Sequence, residues 1–149
     1  MRRANQGHAP LDDATVAYVM TARRVFEDLR QVAAQLAGLL VLEAAGAKSG
    51  GPEHPMVAAA GQRHAEAVAG IYGTRVTTRA RRHHEFLVAA ADAIGRAIEA
   101  ANRGIEIDPV LIPLRNAYAH LQGASRELPG FEMVSFEQGC CAVPTRSNR

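Results

Sequence analysis

The stretch that decides the fold is residues 13–46, DATVAYVMTARRVFEDLRQVAAQLAGLLVLEAAG. In it Val19, Ala22, Phe26, Leu29, Ala33, Leu36 and Leu40 recur at intervals of three and four. That spacing keeps side chains on one face of an α-helix. Asp12 or Asp13 supplies an N-terminal cap, and Gly46 followed by the loop KSGGPEHP ends the run. A continuous helix of this length is ~50 Å long at 1.5 Å per residue. Its apolar stripe needs other helices to cover it, because propensity alone does not hold a helix in water.

Three further helices follow. Pro55 suits a first helical position, where its missing N–H costs nothing. The second helix runs from there through Val57, His64, Val68 and Ile71, with Gly70 and Gly73 weakening its end. Thr77 or Thr78 is expected to cap the third, whose stripe is Leu87, Ala90, Ile94, Ile98 and Ala101, as far as Gly104. A proline inside a helix loses a hydrogen bond and clashes with the carbonyl four residues back. The fourth helix is therefore expected to begin at Pro113 and end near Leu128, with residues 104–112 as a connection that has room for a single turn after Asp108-Pro109. The fold class that results is all-α, an antiparallel four-helix up-down bundle. It occupies residues 11–128, between a flexible N-terminal arm, residues 1–10, and an extended C-terminal tail, residues 129–149.

A faint repeat suggests a duplicated helical hairpin. Ala22-Arg23-Arg24-x-x-Glu27-x-Leu29 returns 58 residues later as Ala80-Arg81-Arg82-x-x-Glu85-x-Leu87, and at the same offset Gly46 meets Gly104 and Pro55 meets Pro113.

The composition fits one helical domain. Of the 149 residues 48% are hydrophobic, but 29 are alanine, only seven are Phe or Tyr, and none is Trp. Alanine is the strongest helix former yet contributes little apolar area, so the helices must approach closely. The net charge of +2 is too small to argue for nucleic acid. The N-terminal MRRANQGHAPLDD has no apolar core behind its arginines and does not read as a signal peptide. The most apolar run, residues 36–45, contains Glu43 and falls short of the ~20 residues that span a bilayer. No membrane and a cytoplasmic location are the expectation, and no cofactor is implied except a soft metal ion at the cysteines.

Candidate sites are few. If helices one and three run parallel, Arg23, Arg24, Arg81 and Arg82 gather at one end, where guanidiniums would clamp a phosphate or carboxylate ligand. Each arginine pair also precedes a glutamate, Glu27 or Glu85, at ion-pair spacing on its own helix. Cys140 and Cys141 are adjacent, and as thiolates they would take a soft metal or serve a redox role. Around them Phe131, Met133, Val134 and Phe136 put large apolar residues into a segment too short for a helix. This interaction tail would either cover alanine-lined grooves of the bundle or pair with a second chain.

The segment Tyr118-Ala-His120-Leu-Gln-Gly123-Ala-Ser resembles the phosphate-accepting segment of histidine phosphotransfer domains, which are also four-helix bundles. The resemblance implies His120 as phosphoacceptor. The family's lysine is missing here, its glycine comes one residue early, and its histidine lies on the second helix. Folding the fourth helix back from Pro113 would place His120 level with about residue 96, far from His83.

No glycine-rich phosphate loop, nucleophile elbow or paired catalytic carboxylates occur. The expected function is thus non-enzymatic: an accessory or regulatory protein acting through protein–protein contacts, with itself as a homodimer or with another protein. A small-ligand or soft-metal/thiol sensor, using the Cys140-Cys141 tail or the arginine end, is the alternative. Phosphotransfer through His120 is a further one.

Overall fold

The computed structural model describes residues 10–47 and 54–133, which form four helices, the short links between them and a few residues at either end. The helices are α1 (Asp13–Ala44), α2 (Pro55–Tyr72), α3 (Arg81–Arg103) and α4 (Ile107–Glu127). Each packs on its neighbours in chain order, α4 closes the ring against α1, and α1 also meets α3 across the middle. The chain is an all-α four-helix bundle, and among the described residues no helix is long and apolar enough to cross a membrane.

The stripe of α1 is buried as its spacing requires. Ala22, Phe26, Leu29, Ala33, Leu36 and Leu40 are all in the core, joined by Tyr18, Val25, Val32 and Leu39, while Val19 is only half-buried. At its end Gly46 takes φ +85°, and the N–H of Ala47 reaches back to the carbonyl of Leu42. That left-handed closure is the usual stop of a helix. α2 starts at Pro55 as expected, with the His54 ring accepting the N–H of Met56 at 3.2 Å.

Two boundaries differ from expectation. Helix α3 begins at Arg81, with Ala80 in the cap position. Thr77 still accepts the N–H of Ala80 at 3.2 Å, so it caps the turn that leads into the helix. The larger correction is α4, which starts at Ile107 and carries Pro113 in its interior. The extra turns put Val110 on the same stripe as Leu114, Ala117, Leu121 and Ala124, and Val110 is only 1% exposed. Burying Val110 offsets the one hydrogen bond that Pro113 forfeits. Pro55 opens its helix and Pro113 sits inside one, so the two prolines that the 58-residue offset aligns do different work.

Alanine packing is sharpened by glycines that receive a larger side chain from the next helix. A Cβ on Gly70 of α2 would stand 2.7 Å from a methyl of Val25 of α1, and one on Gly123 of α4 would stand 2.5 Å from the ring of Phe86 of α3. Between α2 and α3, His64 lies over Gly95, 3.3 Å from where its Cβ would be, and bonds the carbonyl of Ala91 at 2.8 Å.

Candidate functional site

The seam between α1 and α4 is left open. Alanines 33, 34 and 37 of α1 face Leu111, Leu114, Tyr118 and Leu121 of α4 across a groove of about 820 Å³. Helical spacing builds both walls. Positions 30, 34, 37 and 41 of α1 share one stripe, and positions 107, 111, 114 and 118 of α4 share another. On these stripes Val41, Ile107 and Tyr118 are exposed. Arg30, Gln31, Arg115 and Gln122 provide the polar lining, and among the described residues no carboxylate lines the groove. Arg30 is paired with Glu27 at 2.7 Å, whereas Arg115 is exposed. An apolar floor with cations and amides on its rim suits an amphipathic segment with acidic flanks.

At the end where α1 and α3 begin and α4 stops lies a buried cluster. The Tyr18 hydroxyl and His83 Nδ1 are 2.8 Å apart, and the hydroxyls of Thr15 and Thr77 are 3.0 Å apart. Phe131 packs its ring 4.1 Å from that of His83 and 5.4 Å from that of Phe26. His83 is fully buried and its Nε2 has no partner among the described residues. Burial, and secondarily the neighbouring His84, lowers its pKa to about 4. Burial likewise pushes the Tyr18 hydroxyl up from its ordinary value. His84 is lowered by burial, against the opposing pull of Glu85. A neutral imidazole held by a neutral phenol is a structural core pair.

The four arginines share this part of the bundle but are not brought to one point. The Tyr18–His83 contact sets the register of the parallel α1 and α3, leaving Arg23 and Arg24 roughly 10 Å further along than Arg81 and Arg82. All four are exposed. The expected pairings within each repeat are replaced: Glu27 takes Arg30, and Arg82 reaches Glu127 of α4 at 3.1 Å.

His120 is half-buried beside Phe86, with ring centroids 6.4 Å apart. Because α4 begins at Ile107, His120 comes level with Phe86 and not with residue 96, one turn from His83. Gly123, part of the phosphotransfer resemblance, here makes room for the Phe86 ring. Among the described residues no three His, Cys, Asp or Glu side chains come together as metal ligands. Phe131 is in the core and Met133 lines the groove. Val134, Phe136, Cys140 and Cys141 lie outside the described residues, as does the arm through residue 9.

Reading by sequence missed the groove and the Tyr18–His83 pair. The stripe 107, 111, 114, 118 was there to be read, but placing residues 104–112 in a connection hid it. Compared with protein-family models, curated proteins and solved structures, the chain matches none.

Proposed function

We propose that this chain is a non-enzymatic accessory or regulatory protein of the cytoplasm that binds an apolar, acid-flanked protein segment in the α1/α4 groove. The segment belongs to a second copy of the chain or to another protein. One observation carries the reading: two adjacent helices present matched apolar stripes over a groove of about 820 Å³, and among the described residues its charged lining is Arg30 and Arg115. Apolar area of that kind, rimmed by polar groups, marks interaction surfaces more often than chance exposure does. Cationic rims favour partners of opposite sign and speed their encounter.

The test is photo-crosslinking in cells from benzoylphenylalanine placed at Tyr118 or Ala34 in the groove, with exposed Ala65 on α2 as the control site. A protein adduct should form from the groove positions and not from position 65. A synthetic apolar peptide with glutamates at both ends should suppress it. Equal adducts from all three positions, or none from the groove, would overturn the reading. Light scattering on the purified chain then separates the two sources, since a strict monomer excludes the second copy as partner.

A further inference from the structure

The course of the chain after α4 bears on what fills the groove at rest. Helix α4 stops at Glu127, Leu128 is buried, and Gly130 turns the backbone with φ +92°. Phe131 then enters the core beside Phe26, Glu132 is exposed, and Met133 lies on the groove wall. The chain has thus reversed direction relative to α4 and come to the end of the groove marked by Arg30, Gln31 and Gln122. Sixteen residues of sequence follow Met133.

Length, apolarity and charge all suit those next residues. From Arg30 to Ala37 the groove runs about 10 Å along α1 at 1.5 Å per residue. Three or four residues of extended chain cover that distance at ~3.3 Å each. The residues available are Val134, Ser135, Phe136 and Glu137: two apolar side chains on one side of an extended run, then a carboxylate. The far end of the groove holds Arg115, exposed and without an ion-pair partner among the described residues.

We propose that residues 134–137 are the groove's own occupant in cis, with Val134 and Phe136 covering the alanine wall and Glu137 meeting Arg115, so that a partner has to displace them. The inference rests on the groove being the contact surface, and it adds regulation of that site. A segment tethered so closely has a high effective concentration, so a free partner of equal chemistry competes at a disadvantage.

The experiment uses the full chain with Cys140→Ser and Cys141→Ser, adding Ser135→Cys together with Ala119→Cys on the groove rim. The control pairs Ser135→Cys with Ala65→Cys. Mild oxidation should give a rapid disulfide within one chain for the 135/119 pair, monomeric on a non-reducing gel, and at least tenfold less for the 135/65 pair. A bond that forms only between chains would overturn occupation in cis while leaving the groove as a contact between copies. No preference between the pairs would overturn the inference altogether, while groove-specific photo-crosslinks to another protein would still support the contact surface. A second variant reads the regulation. Phe136→Ser should raise the photo-crosslink yield from Tyr118 several-fold, and an unchanged yield counts against displacement.

Discussion

The two seams of α4 make opposite use of small residues. Against α3, Gly123 admits the ring of Phe86, and this is the most extensive helix–helix contact in the bundle. Against α1, Ala33, Ala34 and Ala37 meet leucines and a tyrosine, and an open groove remains. Small residues bring helices together only where a larger side chain fills the space they leave. Where none does, the same alanines are left as the floor of an open groove. Phe131 sits where α1, α3 and the end of α4 converge, and it ties the two seams together.

Removing that tie is the most damaging way to break the comparison. Phe131 is 1% exposed, and Phe131→Ala is expected to cost about 3–5 kcal/mol, the usual range for an emptied aromatic site. Urea unfolding should show this as a lower midpoint. A loss below 1 kcal/mol would mean that the bundle closes without its plug.

Acid attacks the same end more gently. His83 has a folded pKa of about 4 against ~6.5 in an unfolded chain. Between those values the unfolded chain binds a proton that the folded chain does not. Stability is therefore complete above pH ~6.5 and falls as the pH drops toward 4, by up to about 3 kcal/mol at 1.36 kcal/mol per pH unit. Unfolding midpoints at pH 7.5 and 4.5 measure the fall, and His83→Leu should remove most of it. An equal fall in the variant would assign the acid sensitivity elsewhere.

Gly123→Ala tests the closed seam alone. The new methyl would lie 2.5 Å from the Phe86 ring, and overpacking of this kind costs about 1–3 kcal/mol. Phe86 is only half-buried, so its ring is less confined than a core side chain, which keeps the expected loss toward the lower part of that range. Pairing the variant with Phe86→Ala should cancel much of the clash, because the two sites share one contact.

The same contrast explains how much of the molecule was legible in the sequence. The stripes of α1 and α3 are long and regular, and Leu29, Leu36, Leu87 and Ile94 are buried as their spacing demands. The start of α4 was not legible, because Pro113 is a strong local signal against a helix while the burial of Val110 is a tertiary effect. That boundary also set the position of His120 and concealed the second wall of the groove. The Tyr18–His83 pair was illegible for another reason: its members are 65 positions apart, and spacing along a helix carries no information about what faces it on the next.

The open side supplies the smallest test and one of opposite sign. Gly38 lies on the exposed face of α1 next to Ala37, and a Cβ there would meet nothing within 4 Å among the described residues. Packing does not oppose the substitution, so backbone entropy decides it. Glycine in a helix interior costs roughly 0.5–1 kcal/mol relative to alanine, and Gly38→Ala should raise stability by about that much. Glycine-to-alanine at 38 and at 123 is thus one chemical change with two signs, read from the same unfolding curve. If Gly38→Ala destabilised instead, something would have to occupy the space beside the α1 wall. Repeating the measurement with Phe136→Ser would then show whether the tail is what fills it.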